Sequence, residues 1–174
     1  MKSNNVPNRQ HMQRGVSLLE VLVTALILSI GMMGLLGNQL VALKMNQAAA
    51  SRSIASEYAY AMMDKIRSNS AAANNGDYDV GALTLASAIP AGSGVAGTER
   101  KLWANQLQRA LPGALVQICR RTNMAGTFTG CAAAGEYFMV RVAWQQGEDA
   151  RLMFDATRAV EGPDSQSVEI VGRI

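Results

Sequence analysis

The sequence predicts an α+β protein shaped like a lollipop, in which one long N-terminal helix carries a small head built on an antiparallel sheet. Three observations predict this fold class. An uncharged apolar run follows a basic leader, an amphipathic helical pattern continues from that run, and short alternating strand patterns fill the C-terminal half. A length of 174 residues fits one compact domain plus an appendage.

Residues 1–15 are polar and basic and form the predicted cytoplasmic leader. Lys2, Arg9 and Arg14 precede the apolar run, and no acidic residue accompanies them. Beyond Gly15 the basic residues equal the 13 acidic ones in number. The net charge of +3 therefore belongs to the leader, and the rest of the chain lacks the basic footprint that binds nucleic acid.

The apolar run has no charged side chain from Val21 to Leu43. As a helix it would be roughly 35 Å long, which matches a bilayer core of about 30 Å. Because the positive charges precede the run, we expect the N-terminus to stay cytoplasmic and the head to lie across the membrane. Residues 16–43 are therefore the predicted transmembrane half of the first helix. A buried helix of a soluble core is the alternative, and a head this small could not easily surround it.

One carboxylate, Glu20, breaks the apolar pattern about one turn inside the run. A carboxylate close to hydrocarbon is costly and usually has a partner, although simple solvation at the headgroup level would also account for it. A cleaved signal peptide, with a cleavage site at the alanines 48–50, is a rival interpretation of the whole segment. The apolar run is long for a signal peptide, and Glu20 is out of place in one.

Gly15 and the hydrophobic residue Val16 stand at the head of the apolar run. Glu20 is the fifth residue after the peptide bond that joins them. With the basic leader, this pattern resembles the type IV prepilin cleavage motif. The segment Arg14–Ser68 is similar to the PilV family of type IV pilus modification proteins, which are minor pilins. The similarity is greatest in three segments: Ser29–Leu40, Tyr60–Asn69 and Val140–Trp144.

The resemblance implies a processing step and an assembly step. Prepilin peptidase would cut between Gly15 and Val16 on the cytoplasmic side and then methylate the new amine on Val16. Glu20 would neutralise the Val16 amine of a neighbouring subunit during assembly. Two opposite charges in a bundle of low dielectric would each offset the desolvation cost of the other. Val16 stands where the family usually has phenylalanine.

The resemblance also implies a structural protein, not an enzyme, that needs no cofactor. It would join other minor pilins and the major pilin in a complex that primes pilus assembly, remains near the tip, and supports twitching motility, adhesion and presentation of a tip adhesin. Before assembly it would lie in the inner membrane with a periplasmic head. A minor pseudopilin of a type II secretion system shares the same features, and a soluble periplasmic enzyme released after Ala50 is a rival of a different class.

The apolar run contains three glycines and no proline. Gly31, Gly34 and Gly37 fall at three-residue spacing, and a glycine costs a helix interior about 1 kcal/mol relative to alanine. We expect close helix approach or local unwinding there, with tolerated flexibility as the alternative. Past Lys44 apolar residues recur at helical spacing, so residues 44–72 are the predicted amphipathic half that packs on the head.

Residues 73–174 form the predicted globular head. Residues 80–98 are rich in Ala, Gly and Ser and are interpreted as a loop. A helix is predicted over Glu99–Leu111, capped by Thr98 and stopped at Pro112. Antiparallel strands are predicted over four segments: Ala114–Arg121, Tyr137–Gln145, Ala150–Thr157 and Ser167–Ile174.

The chain offers little for catalysis or metal binding. Its one histidine, His11, lies in the leader, so a catalytic triad or a Cys/His zinc site lacks ligands. The G-x-G-x-x-G sequence at Gly92–Gly97 lacks the preceding strand and the later acidic residue that a dinucleotide site needs. Asp77 and Asp79 lack the spacing of a calcium loop and indicate a turn. No metal site is predicted.

Cys119 and Cys131 lie 12 residues apart across a loop rich in Gly and Thr. We expect them to form a disulfide, because the predicted topology places the head in an oxidising compartment; two buried free thiols are the alternative. Closing a loop of this size would contribute about 3 kcal/mol. The neighbouring Arg120 and Arg121 are interpreted as the solvated end of a strand and not as a phosphate clamp.

Overall fold

A computed structural model of the chain describes residues 17–124, 131–132, 135–145 and 165–173. The regular elements follow in this order: helix α1 (Leu18–Ser68), helix α2 (Ser70–Asn74), strand β1 (Val80–Leu85), a 3-10 helix (Ala86–Ala88), helix α3 (Gly94–Ala110), and strands β2 (Leu115–Arg121), β3 (Tyr137–Gln145) and β4 (Ser165–Arg173). The predicted strand Ala150–Thr157 lies outside the described residues.

Helix α1 runs for 51 residues, and its N-terminal part is apolar on nearly every side. By length and composition this part could cross a membrane, and none of the residues in its most apolar 18-residue window is buried. The chain divides into two compact units, Met1–Lys44 and Met45–Ile174. The apolar part of α1 belongs to the first unit, and its amphipathic part belongs to the second.

The amphipathic part of the long helix ends earlier than the predicted residue 72. Helix α1 stops at Ser68, and Asn69 starts the short helix α2 by accepting a hydrogen bond from the backbone N–H of Ala72 at 3.4 Å. An asparagine side chain that bonds to the backbone in this way competes with continuation of the helix. The turn after α2 needs a left-handed backbone at Gly76, whose φ is 85°.

The four strands form one antiparallel sheet in the order β1-β2-β3-β4. Strand β3 has the predicted bounds, Tyr137–Gln145, and pairs along its whole length with β4. Strand β2 starts one residue later than predicted, and β4 starts two residues earlier. The second unit therefore has the expected architecture, a helix packed on an antiparallel sheet, and the predicted α+β fold class is confirmed.

One hydrophobic core joins the amphipathic part of α1, α3 and one face of the sheet. The α1 residues buried in it recur at helical spacing: Ala55, Ala59, Met62, Met63 and Ile66. Trp103 of α3 is 1% exposed, and its indole Nε1 donates a hydrogen bond to the carbonyl of Tyr58 in α1 at 2.9 Å. Each large apolar side chain buried in this way stabilises the fold by about 1.5–3 kcal/mol.

Residues 80–98 are not a loop, so that prediction was wrong. Strand β1 and the 3-10 helix occupy the first part of this segment, and α3 begins at Gly94 instead of Glu99. Thr98 does not cap the helix; its Oγ1 donates to the carbonyl of Gly94 at 3.0 Å, and Ser93 holds the capping position. Small residues carry weak local preferences, and pairing with β2 decides that β1 is a strand.

Strand β1, at one edge of the sheet, is irregular between Val80 and Thr84. Two backbone carbonyls in this stretch accept hydrogen bonds from side chains of the same protein. The Gln117 Nε2 donates to the carbonyl of Gly81 at 2.8 Å, and the Thr84 Oγ1 donates to the carbonyl of Ala82 at 3.0 Å. The irregularity and these two hydrogen bonds leave fewer backbone groups open to a foreign strand.

Candidate functional site

The candidate assembly carboxylate, Glu20, lies in the first turn of α1. The backbone N–H groups of Glu20 and Val21 both bond to the carbonyl of Ser17, at 2.9 and 3.2 Å. A negative charge near a helix N-terminus is stabilised by the helix dipole by about 0.3–1 kcal/mol. The side chain is exposed, and it has no hydrogen-bond or ion-pair partner within the described part of the chain. The described residues therefore offer Glu20 a helix dipole but no counter-charge.

The predicted cleavage and methylation residues, Gly15 and Val16, lie outside the described residues, as does the leader. The three glycines of the apolar run lie inside α1. A Cβ built on Gly31, Gly34 or Gly37 would meet no heavy atom within 4 Å. Packing among the described residues therefore does not require glycine at these positions, and their role in helix packing or flexibility stays a prediction.

The alanines 48–50, which a signal peptidase would need, lie well inside α1. In the uncleaved chain these alanines therefore continue the same helix without a break.

The disulfide between Cys119 and Cys131 is present, as predicted, with the two Cα atoms 5.4 Å apart. Cys119 belongs to β2 and is 1% exposed, whereas Cys131 is exposed. The next residue, Ala132, donates its backbone N–H to the carbonyl of Arg120 at 2.8 Å and forms an isolated bridge with it. The disulfide therefore fastens the returning segment of the β2–β3 connection along β2.

The interpretation of Arg120 and Arg121 as a solvated strand end is wrong. The Arg120 Nη2 and Nε donate to Asp79 Oδ2 at 2.9 and 3.2 Å. The Arg121 Nη1 donates to Glu169 Oε1 at 2.7 Å, and Arg121 is only 7% exposed. Removing one partner of such a pair leaves the other charge in a poorly solvated place. Both arginines hold strands and turns together.

The Oδ2 atom of Asp79 is engaged in this ion pair with Arg120. Burial raises the pKa of the Asp79 carboxyl, and the guanidinium of Arg120, which lowers it, offsets this shift only in part. No cluster of three or more potential metal ligands occurs among the residues that the structure describes. The Arg100 Nη1 donates a hydrogen bond to the backbone carbonyl of Asp77 at 3.0 Å, so this stretch is a structural turn.

The G-x-G-x-x-G sequence forms a close backbone contact. A Cβ added to Gly97 would overlap the backbone of Gly92, so the loop before α3 lies directly on the helix. The helix opens inside the motif, at Gly94, whose φ of 71° favours glycine. The close contact and the left-handed backbone thus account for the glycines at positions 92, 94 and 97.

Sequence reasoning missed a buried phenol at the junction of α1, α3 and β1. Tyr78 is fully buried, and its hydroxyl donates to Glu99 Oε2 at 2.6 Å. The Lys65 Nζ lies 3.9 Å from Glu99 Oε1. Burial raises the pKa of Tyr78 to about 12, and the hydrogen bond and charge of Glu99 act in the same direction.

We expect Tyr78 to ionise near pH 12 in an absorbance titration of tyrosinate. Because its folded pKa exceeds the ordinary value of 10.0, the protonated phenol stabilises the fold fully below about pH 10, and that contribution is lost as the pH rises toward 12. Tyr78→Phe should remove the transition near pH 12. The control Tyr60→Phe, at a ring that is 58% exposed, should leave it in place. A transition of Tyr78 near pH 10 would contradict the burial argument.

The long helix packed on a four-stranded antiparallel sheet is a pilin-like α+β fold, and a carboxylate stands at the head of its apolar part. Residues 10–36 match the family model described as the prokaryotic N-terminal methylation motif. Neither the curated proteins nor the solved structures give a match to this chain. This motif is typical of proteins of the type IV pilin and pseudopilin family.

Proteins of this family are structural subunits and not enzymes, in agreement with the prediction. The motif implies processing by prepilin peptidase and assembly with other pilins. Together with the apolar part of α1, it indicates anchoring in the inner membrane before assembly into a pilus-like fibre.

Proposed function

We propose that the chain is a minor pilin of the type IV pilus. It joins other minor pilins in a complex that initiates pilus assembly, stays near the tip, and supports twitching motility and adhesion. The observation that carries this proposal is the position of Glu20, within the methylation motif and at the head of a helix whose most apolar 18-residue stretch is not buried against the described residues. Such a helix needs an apolar environment, which the membrane and then a bundle of helices provide in turn.

Cleavage after Gly15 exposes the amine of Val16, and methylation keeps that amine basic. During assembly the amine of one subunit meets Glu20 of another. Each charge removes the desolvation penalty of the other only when the register between the helices brings the two together. The pairing thus favours one axial offset between neighbouring subunits over the others.

A minor pseudopilin of a type II secretion system is the second candidate, because the methylation motif and Glu20 fit it equally well. Deletion of the gene separates the two functions. Loss of pili and of twitching with normal enzyme secretion supports the pilus role. Loss of secretion with normal pili supports the pseudopilus role.

Mass spectrometry of the mature N-terminus tests the processing step. We expect the protein from native cells to begin at Val16 and to carry one added methyl group on the α-amine. The variant Ala50→Val, which alters the rival cleavage site, should give the same mature N-terminus. A mature protein that begins at Ser51 would rule out the pilin function, because it would lack both Glu20 and the apolar helix.

A further inference from the structure

The polar and small residues of the apolar part of α1 gather on one face of the helix. At about 100° per residue, seven residues lie within about 40° of the direction of Glu20. We call them the polar-small face: Glu20, Thr24, Ile27, Gly31, Gly34, Asn38 and Ala42. Only Ile27 among them is large and apolar. On the rest of the surface between Leu19 and Leu43, the residues that are not large and apolar are Ala25, Ser29, Gly37 and Gln39.

The spacing along this face is that of a helix packed lengthwise against another helix. From Glu20 to Asn38 successive members are separated alternately by four and three residues. This repeat, which averages 3.5 residues, keeps one seam of a helix against a partner that crosses it at about +20°. Small residues on such a seam let two backbones approach closely in a membrane.

The face also carries polar groups that lipid cannot satisfy. All seven residues are exposed, and space is open around Gly31 and Gly34. The Glu20 carboxylate and the Asn38 carboxamide, roughly 27 Å apart along the axis, have no side-chain partner within the described residues. By contrast, the hydroxyl of Thr24 already donates to the carbonyl of Val21 at 2.9 Å. A facing helix can supply polar partners at both ends of the face, whereas hydrocarbon supplies none.

We propose that the polar-small face binds the apolar helix of a neighbouring pilin-class subunit, aligned parallel to α1. This inference rests on the proposed function, since it needs such a neighbour, and it adds which side of the helix the neighbour occupies. The parallel direction follows because subunits with basic leaders insert with the same orientation. A freed N-terminal amine matches Glu20 in charge, Gly31 and Gly34 admit the partner backbone, and Asn38 bonds polar groups of the partner at the far end.

The geometry separates residues that the sequence spacing grouped together. Gly31 and Gly34 lie on the polar-small face, but Gly37 lies about 100° away from Glu20. Likewise Asn38 lies on the face, whereas its neighbour Gln39 lies about 100° away. The chain therefore contains its own matched controls, with the same residue type on and off the face.

Cross-linking of the full-length chain in native membranes tests which side is occupied. Thr24→Cys and Ser29→Cys form a matched pair, because both hydroxyls bond to helix carbonyls and the two side chains point about 140° apart. Cys119 and Cys131 are joined and do not compete for benzophenone maleimide, a reagent that attaches to the single free thiol and, on irradiation, inserts into a C–H bond of an adjacent chain. We expect Thr24→Cys to cross-link several-fold more efficiently, to a peptide from the apolar helix of a pilin-class subunit. Equal or greater cross-linking from Ser29→Cys, or a partner without such a helix, would overturn the proposal.

Incorporation into sheared filaments gives the second measurement. Leucine favours a helix more than glycine does, so a defect in Gly34→Leu cannot come from a weakened helix. We expect Gly34→Leu and Asn38→Leu to lower incorporation several-fold, and Gly37→Leu and Gln39→Leu to stay near wild type. If the wild type enters filaments and the two variants at positions 34 and 37, like the two at positions 38 and 39, are incorporated equally, the proposed face is wrong. The proposed function would then still stand. Absence of the wild type from filaments contradicts the proposed function, and the cross-linking pair then still decides which side of α1 is occupied.

Discussion

Glu20→Ala should leave cleavage of the leader intact while lowering incorporation into filaments by at least about 10-fold. Removing one partner of an ion pair in a low-dielectric bundle leaves the other charge uncompensated, at a cost of about 3–5 kcal/mol, and 1.4 kcal/mol already corresponds to a tenfold change. The measurement compares the variant in membranes and in sheared filaments by immunoblot. N-terminal mass determination confirms that cleavage has occurred.

Glu57→Ala is the matched control for this experiment. Glu57 is an exposed carboxylate on the same helix, but it lies in the amphipathic part that belongs to the second unit. We expect this variant to assemble like wild type. Normal assembly of Glu20→Ala would remove the proposed role of the carboxylate, and equal defects in both variants would show that the effect is not specific to position 20.

Replacement of both cysteines by alanine should destabilise the second unit by about 3 kcal/mol, because the disulfide closes a loop with a sequence separation of 12 residues. For a chain of this size the melting temperature should fall by about 10 °C. Thermal melting of the full-length protein in detergent, followed by circular dichroism, measures the shift.

A reductant separates the loss of the disulfide from the loss of the buried sulfur of Cys119. It should lower the melting temperature of the wild type toward that of the Cys119→Ala/Cys131→Ala variant and leave the variant unchanged. A wild type that melts at the same temperature with and without reductant would show that the disulfide does not stabilise the fold.

Local signals made much of the architecture predictable from the sequence. An uncharged run of 23 residues and helical spacing of apolar residues predict α1, and alternation of apolar and polar residues predicts β3. The Cys119–Cys131 pair followed from the expected compartment. These features depend on residues that are close together in the chain, so no knowledge of the tertiary structure was needed.

Features that depend on distant partners escaped prediction. Strand β1 is specified by its pairing with β2 and not by its own small residues. Arg120 and Arg121 bond carboxylates that are 41 and 48 residues away in the chain, so their ion pairs cannot be read from local sequence. Tyr78 and Glu99 are 21 residues apart. Cleavage after Gly15 and methylation of Val16 remain predictions.

The aromatic residues are distributed unevenly between the two units. Both tryptophans lie in the core of the second unit, with Trp103 1% and Trp144 3% exposed. The first unit, Met1–Lys44, contains no Trp, Tyr or Phe. Intrinsic fluorescence of the purified chain therefore comes from the second unit alone. It can accordingly follow the unfolding of that unit in detergent or lipid without an added label.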